Sequence, residues 1–309
     1  MEVTTISELP ENILLELFSL VPARELLLRC RPVCRLWRDV IDLLSLWKRK
    51  CQREGFISDH WDRPVADWKI FYFLCSLKKN LIRNPCAEEE LVSWSIDENG
   101  GDNWNVENLP GEHGQEFPNP RVRKYFVTSY GLCLKSQIIN LKEEGYWDEL
   151  LDNIKPAIVV EDCLLLNLYN PVSIPFTPVG PPCLQGHQYP TSRQMFAARH
   201  DCGCKYRIWV QLLSADFIVL DSFQPEPVVI EQWSDAEWRK VSHTFSNYPA
   251  GVRYIRFQHG GKDTQFWAGW YGPRVTNSSI TVEPELTGNC MSGHPGSQPV
   301  TTPASGSGD

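Results

Sequence analysis

No stretch of this sequence is apolar for long enough to cross a bilayer. The longest hydrophobic runs, such as Cys163-Leu-Leu-Leu, fall far short of the ~20 residues a membrane helix needs. The opening residues, Met1-Glu-Val-Thr-Thr-Ile, carry no basic region and no apolar core, so a secretory signal is not expected. Basic charge is also scarce. Thirty Lys and Arg stand against 38 Asp and Glu, a formal net charge of −8. That balance argues against a general nucleic-acid binder, whose phosphate contacts need a basic surface. Compositional bias is absent too: 42% hydrophobic and 22% charged residues exclude a wholly disordered, collagenous or coiled-coil chain. The 11 cysteines are an odd count without a framework, which predicts reduced thiols and a cytoplasmic protein. Under that expectation the sequon Asn277-Ser278-Ser279 stays unmodified.

What the chain does have is aromatic area. Twelve Trp, 10 Tyr and 13 Phe suffice for a large core with rings left over for a binding surface. Its 309 residues suit two domains of ~100–200 residues. The first 50 residues read as short helices. Ile13, Leu14, Leu17 and Phe18 follow Pro10 at helical spacing, and Leu26, Leu27 and Leu28 follow Pro22. After Pro32 come Val33, Leu36, Trp37, Val40, Ile41 and Leu44. So many large apolar side chains exceed what so small a unit buries alone. The surplus is either core against the rest of the chain or a face for a partner. Residues 51–84 read as a helical linker, too apolar around Trp68-Lys-Ile-Phe-Tyr-Phe to be free.

From residue 85 to 284 the pattern changes to short strands between Gly, Pro, Asn and Asp turns, with a helix expected at Lys142–Asp152. The strand runs are Leu91–Ile96, Lys124–Thr128, Ala157–Val160, Tyr206–Leu213, Phe217–Phe223, Val228–Gln232, Arg239–Phe245, Val252–Gln258 and Ile280–Glu283. Strands at such intervals predict an antiparallel sandwich. The whole is expected to be α+β. Cys163–Met195 has no alternation and six prolines, so it reads as an insertion or a splice artefact, and residues 285–309 as a disordered tail.

Two groups of residues carry a resemblance. Leu9-Pro-Glu-Asn-Ile-Leu-Leu-Glu-Leu-Phe, Val33-Cys-Arg-Leu-Trp-Arg-Asp-Val-Ile and Leu46-Trp47 resemble an F-box. The resemblance implies a three-helix unit packing on the adaptor Skp1, and through it a cullin–RING ubiquitin ligase. Leu9, Pro10, Ile13, Leu14, Leu17, Val33, Cys34 and Trp37 are then the implied apolar anchors. Further on, Glu144-Gly-Tyr-Trp-Asp-Glu-Leu-Leu-Asp, the His243–Ile255 segment and the long His259–Ser279 motif resemble the F-box-associated domain of sugar-recognising F-box proteins. That likeness implies a jelly-roll-like sandwich binding the chitobiose core of high-mannose N-glycans on misfolded glycoproteins. The implied glycan residues are Tyr130, Phe266, Trp267 and Ala268, with Trp267 as the stacking platform. Some family members carry Tyr and Lys where Phe266 and Ala268 stand, which removes possible hydrogen bonds to sugar. The family also runs from the positions of Glu161-Asp162 through a Trp straight into those of Phe196–Arg199, so the insertion displaces that Trp.

Enzymatic readings are weaker. No histidine is spaced with a nucleophile, and His200-Asp-Cys202-Gly-Cys204 lacks the second pair a zinc site needs. No metal and no cofactor are expected. An adaptor that recognises protein surfaces instead of glycans stays open.

Overall fold

The computed structural model describes residues 6, 9–110, 117–164, 195–197, 201–233 and 238–284. The first helix, α1 (Glu11–Leu20), starts after Pro10, whose extended ψ of 147° places its carbonyl to accept from the N–H groups of Ile13 and Leu14. Pro22 does the same for α2 (Ala23–Glu25), which continues as a π-helical turn over Leu26–Cys30. Both prolines stand just outside their helices, where a missing N–H costs nothing. α3 (Arg35–Ile41) and α4 (Leu44–Arg53) complete the unit. α4 runs past residue 50 and stops at Gly55, whose φ of 75° suits glycine.

These helices close their own core. Leu14, Phe18, Leu26, Val40, Ile41, Leu46 and Trp47 are buried together. Trp47 donates its indole N–H to the Ile41 carbonyl at 2.9 Å. Lys50, also buried, donates to the carbonyls of Ser19 and Val21 at the end of α1 and pairs with Glu54 at 3.0 Å. A cation at a helix C-terminus satisfies carbonyls that the helix leaves open.

α5 (Trp68–Leu77) joins this unit to the rest of the chain. Its N-cap is Asp67, which accepts from the N–H groups of Lys69 (2.8 Å) and Ile70 (3.1 Å). Phe71 and Tyr72 bury into the helical core, while Leu74, with Ile70 and Leu77, packs on the strands.

The strands are β1 (Ser95–Asn99), β2 (Asn105–Asn108), β3 (Lys124–Val127), β4 (Cys133–Asn140), β5 (Ala157–Leu164), β6 (Met195–Ala197), β7 (Cys204–Leu213), β8 (Val219–Phe223), β9 (Val228–Ile230), β10 (Arg239–Phe245), β11 (Tyr254–Asp263), β12 (Arg274–Thr276) and β13 (Ser279–Glu283). One sheet has the order β1-β4-β11-β7-β8, with β9 also on β7; the other is β13-β5-β10-β6-β12-β3-β2. The paired strands run antiparallel. Residues from both sheets, among them Phe126, Ile158, Val210, Phe257 and Ile280, form one core. The α+β architecture with a sandwich is therefore present.

Several sequence expectations need correction. The helix expected over Lys142–Asp152 is interrupted at Gly145 (φ 103°), and only the last turn, ending in a π-helical Leu150–Ile154, is helical. The strand expected at Leu91 begins only at Ser95, and that expected at Val252 begins at Tyr254 and runs to Asp263. β2, β4, β6 and β12 had no counterpart among the expected strands. The outer residues of the expected insertion lie in strands: Cys163 pairs with Lys240 and Met195 with Thr276. The remainder, 165–194, and the expected tail, 285–309, lie outside the described residues.

Candidate functional site

β11 ends at Asp263, and the chain turns through residues 264–273 before β12. The Asp263 carboxylate accepts the N–H of Phe266 at 2.6 Å and of Trp267 at 3.2 Å. Those bonds hold Phe266 at a φ of 58°, a left-handed conformation a bulky residue rarely takes unaided. Burial pushes the Asp263 carboxyl above its usual range, although the amides pull it down. The tethered loop leaves large rings in solvent: Phe266 is 67% exposed, Trp267 39% and Trp270 39%. Trp267 meets only the ring of Tyr271 edge-on at 5.6 Å among the described aromatics. The Lys262 ammonium stands 4.9 Å from the centre of the Phe266 ring.

Two further loops fix this one in place. The Asp102 carboxylate accepts the Gly269 N–H at 2.6 Å, and its carbonyl accepts the Trp270 indole at 3.3 Å. Ser129 Oγ accepts the Asp102 N–H and donates to the Gly269 carbonyl at 2.8 Å, and the Ser129 carbonyl accepts the Asp263 N–H. Ser129 thus knots three loops, and Tyr130, half-buried, is the next residue. The loops approach so closely that a Cβ on Gly131 would lie 2.3 Å from the Gly101 nitrogen. Tyr130, Phe266, Trp267 and the exposed Ala268 therefore occupy adjoining loops. Sequence reasoning passed over Asp102, Ser129 and Trp270. Trp270 stood inside the quoted motif, whereas nothing local marks Asp102.

The helical unit leaves a second surface open. Ile13, Leu17 and Val33 are exposed, as are Ile6, Leu20, Leu28, Leu36 and Leu44, and Pro10. Leu9, Cys34 and Trp37 are half-buried; Trp37 contacts Phe18 edge-on at 5.1 Å. Leu14 differs from the other expected anchors, because it is fully buried in the unit's own core and packs there instead of facing out. Apolar exposure this concentrated marks an interaction surface.

A buried ionisable cluster lies between the sheets. His259 Nδ1 is 3.0 Å from Asp162, which also accepts from the Tyr206 hydroxyl. The Lys135 ammonium lies 3.1 Å from the centre of the Trp94 ring and 3.5 Å from that of Phe126, with no hydrogen-bond partner among the described residues. Burial and the nearby lysine push His259 down to about 4. All four side chains are sealed from solvent, so this His–Asp pair meets no substrate. Cys204 is likewise buried, its thiol pushed up to about 12 by desolvation. His200, the third member of the tentative zinc set, lies outside the described residues; among the described residues no set of three or more His, Cys, Asp or Glu converges as for a metal.

The F-box associated region matches residues 72–165 and 191–282, and an F-box-like region matches residues 6–53. The chain belongs to the F-box proteins that carry an F-box-associated region. It is similar to "F-box only protein 6" of Bos taurus, 61% identical over 94% of this chain and 97% of that protein. To "F-box only protein 44" of Mus musculus it is 60% identical, covering 93% of this chain and all of the relative (100%). "F-box only protein 2" of Bos taurus is 42% identical over 92% of this chain and 86% of its own length. Among solved structures, a carbohydrate-binding module bound to β-1,4-galactotriose is 11% identical, with a TM-score of 0.34 over 66% of this chain and 99% of that one. In this F-box protein the family match to the F-box-associated region breaks between residues 165 and 191. Among its described residues no helix is long and apolar enough to cross a membrane.

Proposed function

We infer that the chain is a non-catalytic substrate-recognition subunit of a Skp1–cullin–F-box ubiquitin ligase. Its 264–273 loop takes the chitobiose core of high-mannose N-glycans on misfolded glycoproteins, which are then ubiquitinated in the cytoplasm during endoplasmic-reticulum-associated degradation. The exposed apolar side chains of α1–α3 supply the Skp1 surface. One observation carries the glycan reading: Trp267 is held half-open in water by hydrogen bonds that fix its loop from three sides. A pyranose offers a face of C–H groups and a rim of hydroxyls, and a pre-set aromatic plane binds such a face without ordering cost. In this reading Tyr130 and Phe266 act as the flanking walls, and Lys262, its ammonium 4.9 Å from the centre of the Phe266 ring, supplies a hydrogen-bond donor beside them.

Trp267→Ala tests this reading. Retention on chitobiose resin should fall at least about tenfold, the equivalent of about 1.4 kcal/mol, while thermal stability and Skp1 co-purification stay unchanged. Undiminished retention would reject the site. The apolar character of Phe266 and Ala268 favours one second reading, recognition of a protein surface by the same F-box adaptor. Clients captured after enzymatic deglycosylation would support that reading over the glycan.

A further inference from the structure

A second cleft of about 350 Å³ lies on the outer face of the β1-β4-β11-β7-β8 sheet, away from the 264–273 loop residues. This volume is at the low end of small-ligand sites, which run ~300–1,000 Å³. Its floor is Trp209 on β7, flanked by Arg207 on the same strand, Gln258 on β11 and Leu134 on β4. The alternation of β7 sets this arrangement: Ile208 and Val210 point into the core, so Arg207 and Trp209 point out. Gln258 is paired in register with Trp209. The next outward position on β11 is Gly260, paired with both Arg207 and Leu134. A Cβ at Gly260 would lie 2.0 Å from the Cys133 carbonyl, so β11 and β4 approach closely at this point of the sheet. The wall is the 224–227 loop, from which Gln224 and Glu226 are exposed.

The lining selects among ligand classes. Arg207 and Glu226 make no ion pair among the described residues, and their opposite charges leave these two lining residues with no net charge to favour an anion or a cation. β4 and β11 are bonded on both edges, and the outer edge of β7 at residues 207–209, between its pairings with β8 and β9, is spanned by the chain's own 224–227 segment with its two prolines, which stands where an extended peptide would have to join. What the cleft offers is a half-open indole plane, the exposed Gln224 amide, the Gln258 amide, whose nitrogen already donates to Asp97 at 2.6 Å and leaves its oxygen to accept, and one charged group of each sign. A neutral, hydroxyl-rich ring uses all of these at once. We propose that this cleft is a second carbohydrate site, taking a neutral hexopyranose oligosaccharide independently of the Trp267 loop.

The test is a titration of the full-length, isotopically labelled protein with mannotriose and, separately, cellotriose, reading backbone amide shifts. Binding should move the amides of Arg207, Ile208, Trp209, Glu226 and Gln258 with one of the two sugars. The same shifts should persist in Trp267→Ala, which separates this site from the loop: a silent loop with a responsive cleft fails only the glycan-loop reading. Trp209→Ala should abolish the cleft shifts. Because that change also removes a large half-buried ring, the exposed pair Gln224→Ala with Glu226→Ala gives a second reading and should weaken the apparent affinity at least about threefold with an unchanged melting curve. Absence of cleft shifts with both sugars overturns the proposal, as does a cleft that answers only to a proline-rich peptide run in parallel.

Discussion

His259 shows how one buried side chain ties the fold to pH. In the native protein it is held near 4, mainly because burial penalises the imidazolium and next because the Lys135 ammonium repels it; Asp162 offsets this only in part. In the unfolded chain the same imidazole titrates near its ordinary 6.5. Below that value the unfolded state takes up a proton that the native state refuses, so stability falls with acidification. The loss begins below about pH 6.5 and is complete near pH 4, on the order of 3 kcal/mol for this group alone. The groups facing it are Asp162, Tyr206 and Lys135, and of these only the pair with Asp162 favours the charged ring. Denaturant midpoints of wild type and His259→Asn between pH 7 and 4.5 check this: the variant should lose distinctly less stability over that range. Equal slopes would show that other groups carry the acid sensitivity. Asp102 is the corresponding lever on the 264–273 loop, the proposed glycan site. Asp102→Ala removes the charge-assisted bond to the Gly269 N–H, worth about 1.5–3 kcal/mol at most where both groups are ordered. Because the residue is exposed, its effect should fall on loop order: chitobiose retention drops about tenfold while the melting temperature barely moves. A melting shift with unaltered retention would place Asp102 in the fold and not in the site.

At the level of elements, α5 depends on its cap. Asp67 accepts two N–H groups at the start of the helix, and Asp67→Ala should cost about 1 kcal/mol. In a domain of this size that lowers the melting temperature by roughly 2–4 °C, measurable by calorimetry. Asp67→Asn should recover most of it; failure to recover would mean charge, not capping, matters. Elements whose side chains alternate were legible in the sequence. β10 spans Arg239–Phe245 as expected, and β3 and β13 match within a residue. β4 was not legible because polar groups occupy its buried positions. Lys135 is sheathed by Trp94 and Phe126, Ser136 bonds Asp97, and Gln137 exchanges two hydrogen bonds with the Arg83 backbone. Each partner is remote in sequence, so no local pattern reveals why a strand containing Lys-Ser-Gln is buried. The expected helix at Lys142 failed for the opposite reason: its composition was favourable, but Gly145 sits at positive φ with Leu77 packed over it, which ends regular structure there. The site divides the same way. Phe266, Trp267 and Ala268 stood in a recognisable run, but the tie from Asp102 to Gly269 joins residues 167 positions apart. Only the folded sheet brings those together.

Across the whole molecule, α5 turns two domains into one object. Its helical-unit side is Phe71 and Tyr72, and its strand side is Leu74. Phe73 meets Trp147 edge-on at 6.0 Å, and Tyr146 donates to the Leu77 carbonyl. Beyond the helix, Lys79 and Arg83 both pair with Glu144, Lys78 pairs with Glu283, and the Leu81 N–H donates to the Ile280 carbonyl. In the proposed adaptor role, such a junction would present a client held on the 264–273 loop at a fixed position relative to the proposed Skp1 surface. Salt bridges at the surface contribute little singly, so the apolar contacts carry the rigidity. Trp147→Ala removes the ring that Phe73 packs against, and a large aromatic truncation at a half-buried contact costs ~1–3 kcal/mol. Amide hydrogen exchange should accordingly quicken by at least about tenfold in the second half of α5, residues 73–77, since each 1.4 kcal/mol is a factor of ten. Exchange in α1 and α4 should not change, and neither should Skp1 or chitobiose binding measured separately. Ubiquitin transfer to a captured glycoprotein should nonetheless slow, because the client then samples positions the ligase cannot use. If exchange in α5 rose while transfer kept its rate, a fixed junction would not be what positions the client.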